Sequence, residues 1–308
     1  MPAEWGALGH IVVKSSAAVA LAAVGEVAAE RSGVLNLGVE GMMLIGALAG
    51  AAAGLATGNP YLGLAAGALA GACLAGLHAV FAIALAADQT LSGLALAILG
   101  AGLANFLGRP LVGAVGLRLP VLPVPGLADL PFLGPVLFRH TLPVYLALLA
   151  GPLAAWALAR TRAGLMVRAV GEDAAAAHAM GVPVAAVRAG CTLFGGLMAG
   201  LAGASLSLAY TPGWKENMSG GQGWIAIAMV IFAGWRPLRA ALGALLFGAL
   251  TALTFQFQAA GVELVPIWLL RMLPYLLTVA VLCLALGVAH TRRGGPPADL
   301  GRPFRPGD

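Results

Sequence analysis

Apolar runs of about twenty residues follow one another through this chain almost without pause, each closed by a short polar or Gly/Pro-containing stretch. A run of that length crosses the roughly 30 Å hydrocarbon core of a bilayer as a helix. The pattern predicts helices near 8–29, 36–57, 61–86, 90–108, 141–160, 184–210, 221–235, 238–259 and 266–289. Membrane barrel strands would instead alternate polar and apolar positions over about ten residues. The expected fold is therefore all-α, a polytopic membrane bundle of about nine transmembrane helices over residues 1–290, with 291–308 as a disordered cytoplasmic tail. Between the fourth and fifth helices, residues 109–140 form a loop rich in Pro, Gly and Leu, apolar enough to lie on the membrane surface or cover a vestibule.

Two interruptions stand out. The stretch ERSGVLNLGVEGMMLIGALAG, from Glu30 to Gly50, sets charges, an Asn and several glycines between two apolar runs. After Tyr210, TPGWKENMSGGQGW does the same in the second half of the chain. Polar backbone at membrane depth is tolerated only inside protein or along a water-filled path, because lipid offers it no hydrogen-bond partner. The predicted spans place the two breaks on opposite sides of the membrane, one in each half, which is the layout of an inverted internal repeat.

Composition agrees with a membrane protein: 60% of the 308 residues are hydrophobic and 9% charged, against about 25% charged in a soluble domain. The 44 glycines allow helices to approach closely, which association in lipid requires. A net charge of +5 raises the question of nucleic acid, but the basic residues are spread through loops. With the C-terminus inside, Arg31, Arg160, Arg162, Arg168, Arg188, Arg236, Arg239, Arg292, Arg293, Arg302 and Arg305 all fall on the cytoplasmic side, eleven of the 17 Lys and Arg. That bias predicts an outside N-terminus, an inside C-terminus and no nucleic-acid partner. Trp5, Trp156, Trp214, Trp235 and Trp268 then fall near helix ends, as interfacial anchors. The N-terminus opens with Glu4, and Lys14 interrupts the first run, so the first helix is expected to belong to the mature chain rather than to a cleaved signal.

Catalytic and metal chemistry find little support. Cys73, Cys191 and Cys283 lie singly in apolar runs, and His10, His78, His140, His178 and His290 lack ligand spacing. No metal or cofactor is expected. Glu172 and Asp173 are adjacent and so diverge on a helix. They lie in ARTRAGLMVRAVGEDAAAAHAMGVPVAAVR, the longest charged segment between helices. Within it, Glu172 to Met180 has acids at its start and alanines in its body, and Gly181, Val182 and Pro183 stop it. This predicts a short cytoplasmic docking helix.

On three stretches the sequence resembles the permease subunits of bacterial ABC importers, in the branch serving simple sugars, nucleosides and, more distantly, branched-chain amino acids. They are ERSGVLNLGVEGMMLIGA, GLMVRAVGEDAAAAHAMGV, and GWIAIAMVIFAGWRPLRAALGALLFG from Gly223 to Gly248, with MLPYLLTVAVL from Met272 as a weaker fourth. The first and third look most like nucleoside permeases paired with a basic-membrane-protein-type lipoprotein. The resemblance implies a multi-pass subunit of the bacterial inner membrane without its own ATPase, and no GxxxxGK[ST] phosphate loop occurs in the chain. Its implied partners are two ATPase subunits, a second permease chain in a heterodimer, and an extracytoplasmic substrate-binding lipoprotein. Residues 172–181 match the family's coupling helix, with EDAA where many importers show EAA. Arg168, Gly171, Glu172, Asp173, His178 and Gly181 are the expected ATPase-coupling residues.

The translocation path is expected to involve Asn36, Glu40, Gln89, Asn105, Trp214, Asn217, Gln222 and Trp224. Glu40 lies one helical turn beyond Asn36 and shares its face. Either the two line the path, or Glu40 is a first-turn charge at the interface and Asn36 caps the helix. Trp214, Asn217, Gln222 and Trp224 offer stacking faces and amides for a base or sugar ring, or else an aromatic belt with loop polars. Asp88 and Gln89 also fit a solvated helix end, and Asn105 a bond to a neighbouring helix. An ion-coupled secondary transporter is the rival of another class, disfavoured because only Glu26, Glu40 and Asp88 come near membrane depth.

Overall fold

A computed structural model describes residues 2–259, 272, 273, 276, 279, 283 and 295–305. The long helices are α1 (Pro2–Arg31), α2 (Val39–Thr57), α3 (Pro60–Ala79), α4 (Gln89–Gly108), α6 (Leu142–Arg160), α9 (Val184–Ser205) and α11 (Pro237–Ala259). Shorter ones are α5 (Leu133–Leu137), α7 (Arg162–Glu172), α8 (Ala174–Ala179) and α10 (Gln222–Phe232). π-helical turns at Val80–Ala84 and Leu206–Tyr210, a 3-10 turn at Arg109–Leu111 and one two-residue strand pair, β1 (Leu122–Pro123) with β2 (Arg139–His140), complete the described elements.

The all-α membrane bundle stands, but the described residues hold seven helices long and apolar enough to cross a membrane. The predicted span at 221–235 is instead the 11-residue α10, about 16 Å long at 1.5 Å per residue, which is half a hydrocarbon core. Its apolar composition reflects burial in protein rather than a crossing. The predicted helix at 266–289, with most of the stretch from Met272, lies outside the described residues. The tail was expected to be disordered; residues 295–305 instead lie against α7, α8 and the turn after α1.

The core is a seam where α3 runs antiparallel to both α2 and α9. Gly46 of α2 packs on the Gly200 backbone of α9, Gly67 of α3 on the Gly46 carbonyl, and Gly71 of α3 on Gly196 and Gly200. A Cβ at Gly203 would fall on the Met43 carbonyl oxygen. With no side chain between them, backbones touch, and dispersion supplies the attraction that lipid denies to apolar burial. On the other side, α1 packs along α9 and α11, where Gly25 meets Met198 and Gly248 meets Val12 and Ser16. Asn59 and Asp88 cap α3 and α4 through the Tyr61 and Leu91 amides.

The long loop folds over one end of the bundle. Leu119 N donates to Leu208 O at 2.8 Å, Gly116 packs on Gly213, and His10 Nδ1 bonds Pro135 O at 2.9 Å. His10 and His140 stack with ring centroids 4.4 Å apart. Burial pushes the His140 imidazole down to about 4, against the opposing bond to Val136 O and with help from His10 and Lys14. The loop thus covers the bundle end rather than lying free.

Gly203→Leu should therefore cost at least about 1–3 kcal/mol, because backbone rather than a flexible side chain must move. Gly102→Leu, where a Cβ meets nothing within 4 Å, should be tolerated. Thermal unfolding of the two variants in detergent compares them directly.

Candidate functional site

The first break begins where α1 ends at Arg31. Ser32 and Gly33 turn the chain back, Gly33 at φ +92°, a left-handed conformation that glycine adopts without strain. Backbone left unpaired between α1 and α2 takes partners from α1, α3 and α4. Leu35 N donates to Gln89 Oε1 of α4 at 2.7 Å, and Leu35 O bonds His78 Nε2 of α3 at 3.1 Å. Asn36 N and Nδ2 donate to the Glu26 carboxylate of α1 at 3.2 and 3.4 Å. His78 is in turn bonded to Ser92 through Nδ1 at 3.0 Å. Each buried polar backbone group thereby replaces water with a side chain.

Asn36 does not cap α2. The N-cap is Gly38, which has no side chain to offer, and Asn36 Oδ1 accepts only from Gly38 N at 2.9 Å. Asn36 is fully buried and acts as a strut between α1 and the turn. Glu40 lies in the first turn of α2 and is buried, at 9% exposure.

Its partners belong to the second break. After a π-type turn at Leu206–Tyr210, residues 211–221 run back into the bundle and α10 starts from Gly221 at φ +82°. Gly221 also lacks a capping side chain. Glu40 supplies the cap: Oε1 accepts from Ser219 Oγ at 2.5 Å and Gly221 N at 2.9 Å, and Oε2 accepts from Gly223 N at 2.7 Å. A carboxylate at a helix N-terminus meets free N–H groups and the positive end of the dipole together. Gly223 permits the approach, since a Cβ there would strike Glu40. At the far end of α10, Trp235 Nε1 donates to the Glu30 carboxylate of α1. The half-helix is thus held at both ends by acids that flank the first break.

The remaining expected path residues separate into three settings. Gln89 is buried with Asn36 around the first break, not at a solvated helix end; Asp88 beside it is exposed and caps α4. Asn105 Nδ2 donates to Asn217 Oδ1 at 2.9 Å, and Asn217 N to Asn105 Oδ1 at 3.1 Å, so this pair ties α4 to the second break near the surface. Trp224 is 41% exposed, whereas Trp214 is 4% exposed and packed on Gly108. Trp214 and Trp235 are therefore interior residues, contrary to their expected anchoring role; Trp5 and Trp156 are exposed, and Trp268 lies outside the described residues. Gln222 faces a small cavity lined also by Lys14, Ser15, Ser205, Tyr210 and Thr251, and its buried Oε1 has no hydrogen-bond partner among the described residues.

The predicted single helix at 172–181 is divided. Glu172 closes α7 and lies 3.9 Å from Arg31, while Asp173 breaks the helix and caps α8 through Ala176 N at 2.8 Å. Gly171 lets α7 touch the Arg31 carbonyl, and Gly181 ends the segment at φ +81°. Arg168 Nε bonds Gly164 O, and His178 meets the Phe304 ring edge-on, centroids 5.6 Å apart. Arg188, counted among loop arginines, is buried and donates to Ser32 O at 3.2 Å. Sequence reasoning gave no structural role to Glu30, His78 or Ser219, and gave Trp235 that of an interfacial anchor. The i, i+4 spacing of Glu26 and Glu30 before the first break is a signal that could have found the acids.

Replacing Glu40 by Ala leaves three donors at the α10 N-terminus unpaired. The loss should be roughly 3 kcal/mol or more, at about 1–3 kcal/mol per buried unsatisfied group. Asp88→Ala, which removes an exposed cap, should cost only about 1 kcal/mol. Thermal unfolding of both variants measures the difference.

The family model described as branched-chain amino acid transport system / permease component matches residues 10–282. A putative glucose ABC transporter permease protein, TsgC13 of Haloferax volcanii, is 42% identical over 94% of this chain and 95% of its own length. The nucleoside ABC transporter permease protein NupC of Lactococcus lactis is 36% identical over 86% of this chain and 88% of its own. The guanosine ABC transporter permease protein NupQ of Bacillus subtilis is 34% identical over 93% and 94%. No solved structure matches the chain.

Proposed function

The chain belongs to the branched-chain amino acid transport system / permease component family, and on that premise we propose that it imports a nucleoside as the membrane subunit of an ATP-binding-cassette transporter. Two full-length relatives named for nucleoside or guanosine transport, at 36% and 34% identity, support that solute. Glucose is the second reading, favoured by the relative at 42% identity.

The observation that carries a transport role is the junction at Glu40. Two breaks from distant parts of the chain meet there, and α2 and α10 direct their N-termini at each other across one carboxylate. Broken helices meeting inside the bilayer are a common transporter plan, in which one repeat or bundle rocks against the other about a fixed site. Asn105, Asn217 and Trp224 are the accessible polar and stacking groups for a base or sugar. Asn36, Glu40 and Gln89 hold the two breaks together, and Trp214 packs on Gly108 at the C-terminal end of α4. Gln222 adds an amide oxygen with no partner among the described residues.

The α7–α8 end is the cytoplasmic end, supported by Arg31, Arg168 and Arg236, which lie close together there. The N-terminus is then outside and the C-terminus inside, in the inner (cytoplasmic) membrane. ATP is hydrolysed by two separate ATPase subunits docking on α7 and α8, around Arg168, Gly171, Glu172, Asp173, His178 and Gly181. A second permease chain completes the pore as a heterodimer, and an extracytoplasmic lipoprotein delivers the solute. Selection rests with that protein, so affinity within the path is weak.

Uptake of radiolabelled guanosine by cells expressing the whole transporter should stop on ATP depletion and on adding excess unlabelled uridine, and should persist with excess glucose. Competition by glucose instead would establish the sugar reading. Uptake that survives ATP depletion but collapses with the proton or sodium gradient would overturn the importer.

A further inference from the structure

The C-terminal segment is bonded to more of the mechanism than its sequence suggests. Asp299 Oδ2 accepts from Ala174 N, the first residue of α8, at 2.7 Å, and Asp299 N donates to Gly171 O at the end of α7 at 3.0 Å. Two residues on, Gly301 N donates to Gly33 O in the first break at 3.1 Å. Arg302 O then accepts from Arg188 Nη1 of α9 at 2.9 Å and from Gln89 Nε2 at 3.5 Å. Phe304 packs into the small apolar cluster of Val170, Ala174, Ala177 and Val184 and meets His178 edge-on.

These contacts run in one direction. They start on the docking helix, pass through four tail residues and end on the backbone of the first break. Gln89 carries them one step further, because its Oε1 holds Leu35 N while its Nε2 holds Arg302 O. By contrast, the only described ion pair from α7 to the first break's rim, Arg31 with Glu172, is long at 3.9 Å and solvent-facing, the kind that contributes little. The capping bond from Asp299 is charge-assisted and partly shielded, and so is stiffer.

We propose that residues 297–305 are a strap that ties the docking helix α8 to the first helix break, so that displacement of α8 is passed to the break through Asp299, Gly301 and Arg302. Asp299 is a positioning residue: it caps α8 from outside and sets where the tail crosses. The strap itself follows from contacts within this chain; its role in coupling rests on the importer proposed above.

Two experiments separate those levels. In the purified chain, hydrogen exchange should rise at least about tenfold over residues 31–36 and 170–175 when 295–308 are deleted, and less strongly in Asp299→Asn, with the α2–α3–α9 seam unchanged. Unchanged exchange at both segments would overturn the strap. In proteoliposomes with ATPases and binding protein, Asp299→Asn and Gly301→Pro should keep basal ATP turnover within about twofold while solute moved per ATP falls about tenfold or more. Wild-type transport per ATP in both variants would overturn the coupling role. If the wild-type chain itself binds no ATPase, the importer fails while the exchange result still decides the strap.

Discussion

A carboxylate buried among helices costs several kcal/mol in lost hydration unless donors replace the water. Glu40 meets that requirement with three donors from a single element, the start of α10. The requirement is mutual, since α10 begins at a glycine and has no capping side chain of its own. Neither half of the junction is satisfied without the other, so the break at residues 32–38 and the break at 211–221 are fixed relative to each other. Glu30 repeats the device at the far end of α10 through the Trp235 indole. A half-helix that cannot cross the membrane is thereby held at a defined depth.

Around that junction, the glycine seam supplies rigidity without any polar bond. Gly46, Gly67, Gly71, Gly200 and Gly203 bring α2, α3 and α9 into backbone contact, so the α2 side of the junction belongs to the closely packed seam. The first break is braced from α1, α3 and α4 by Glu26, His78 and Gln89, and from α9 by Arg188.

Much of this was written in the sequence. Interruptions at Asn36 and after Tyr210 were visible because charges and glycines at membrane depth have few explanations. The family was visible in three stretches, and the all-α bundle in the run lengths. What failed was depth. Hydropathy cannot tell a buried half-helix from a span, so α10 was counted as a crossing, and proximity to helix ends turned Trp214 and Trp235 into interfacial anchors. The two sequence readings of Glu40 stay open in the sequence because distance along the chain from Arg31 does not report the turn that brings Asn36 back beside Glu26 of α1. The partners of each polar residue, Ser219 for Glu40 or Trp235 for Glu30, sit about two hundred residues away in sequence, where no local pattern reports them.

A double-mutant cycle across the junction tests the central claim most directly, using Glu40→Gln, Ser219→Ala and the pair, with unfolding free energy in detergent as the readout. If one carboxylate joins the two breaks, the losses are non-additive by about 0.5–3 kcal/mol, the second change costing less once the first is made. Strict additivity would mean that Glu40 and the start of α10 do not hold each other, and would contradict the account.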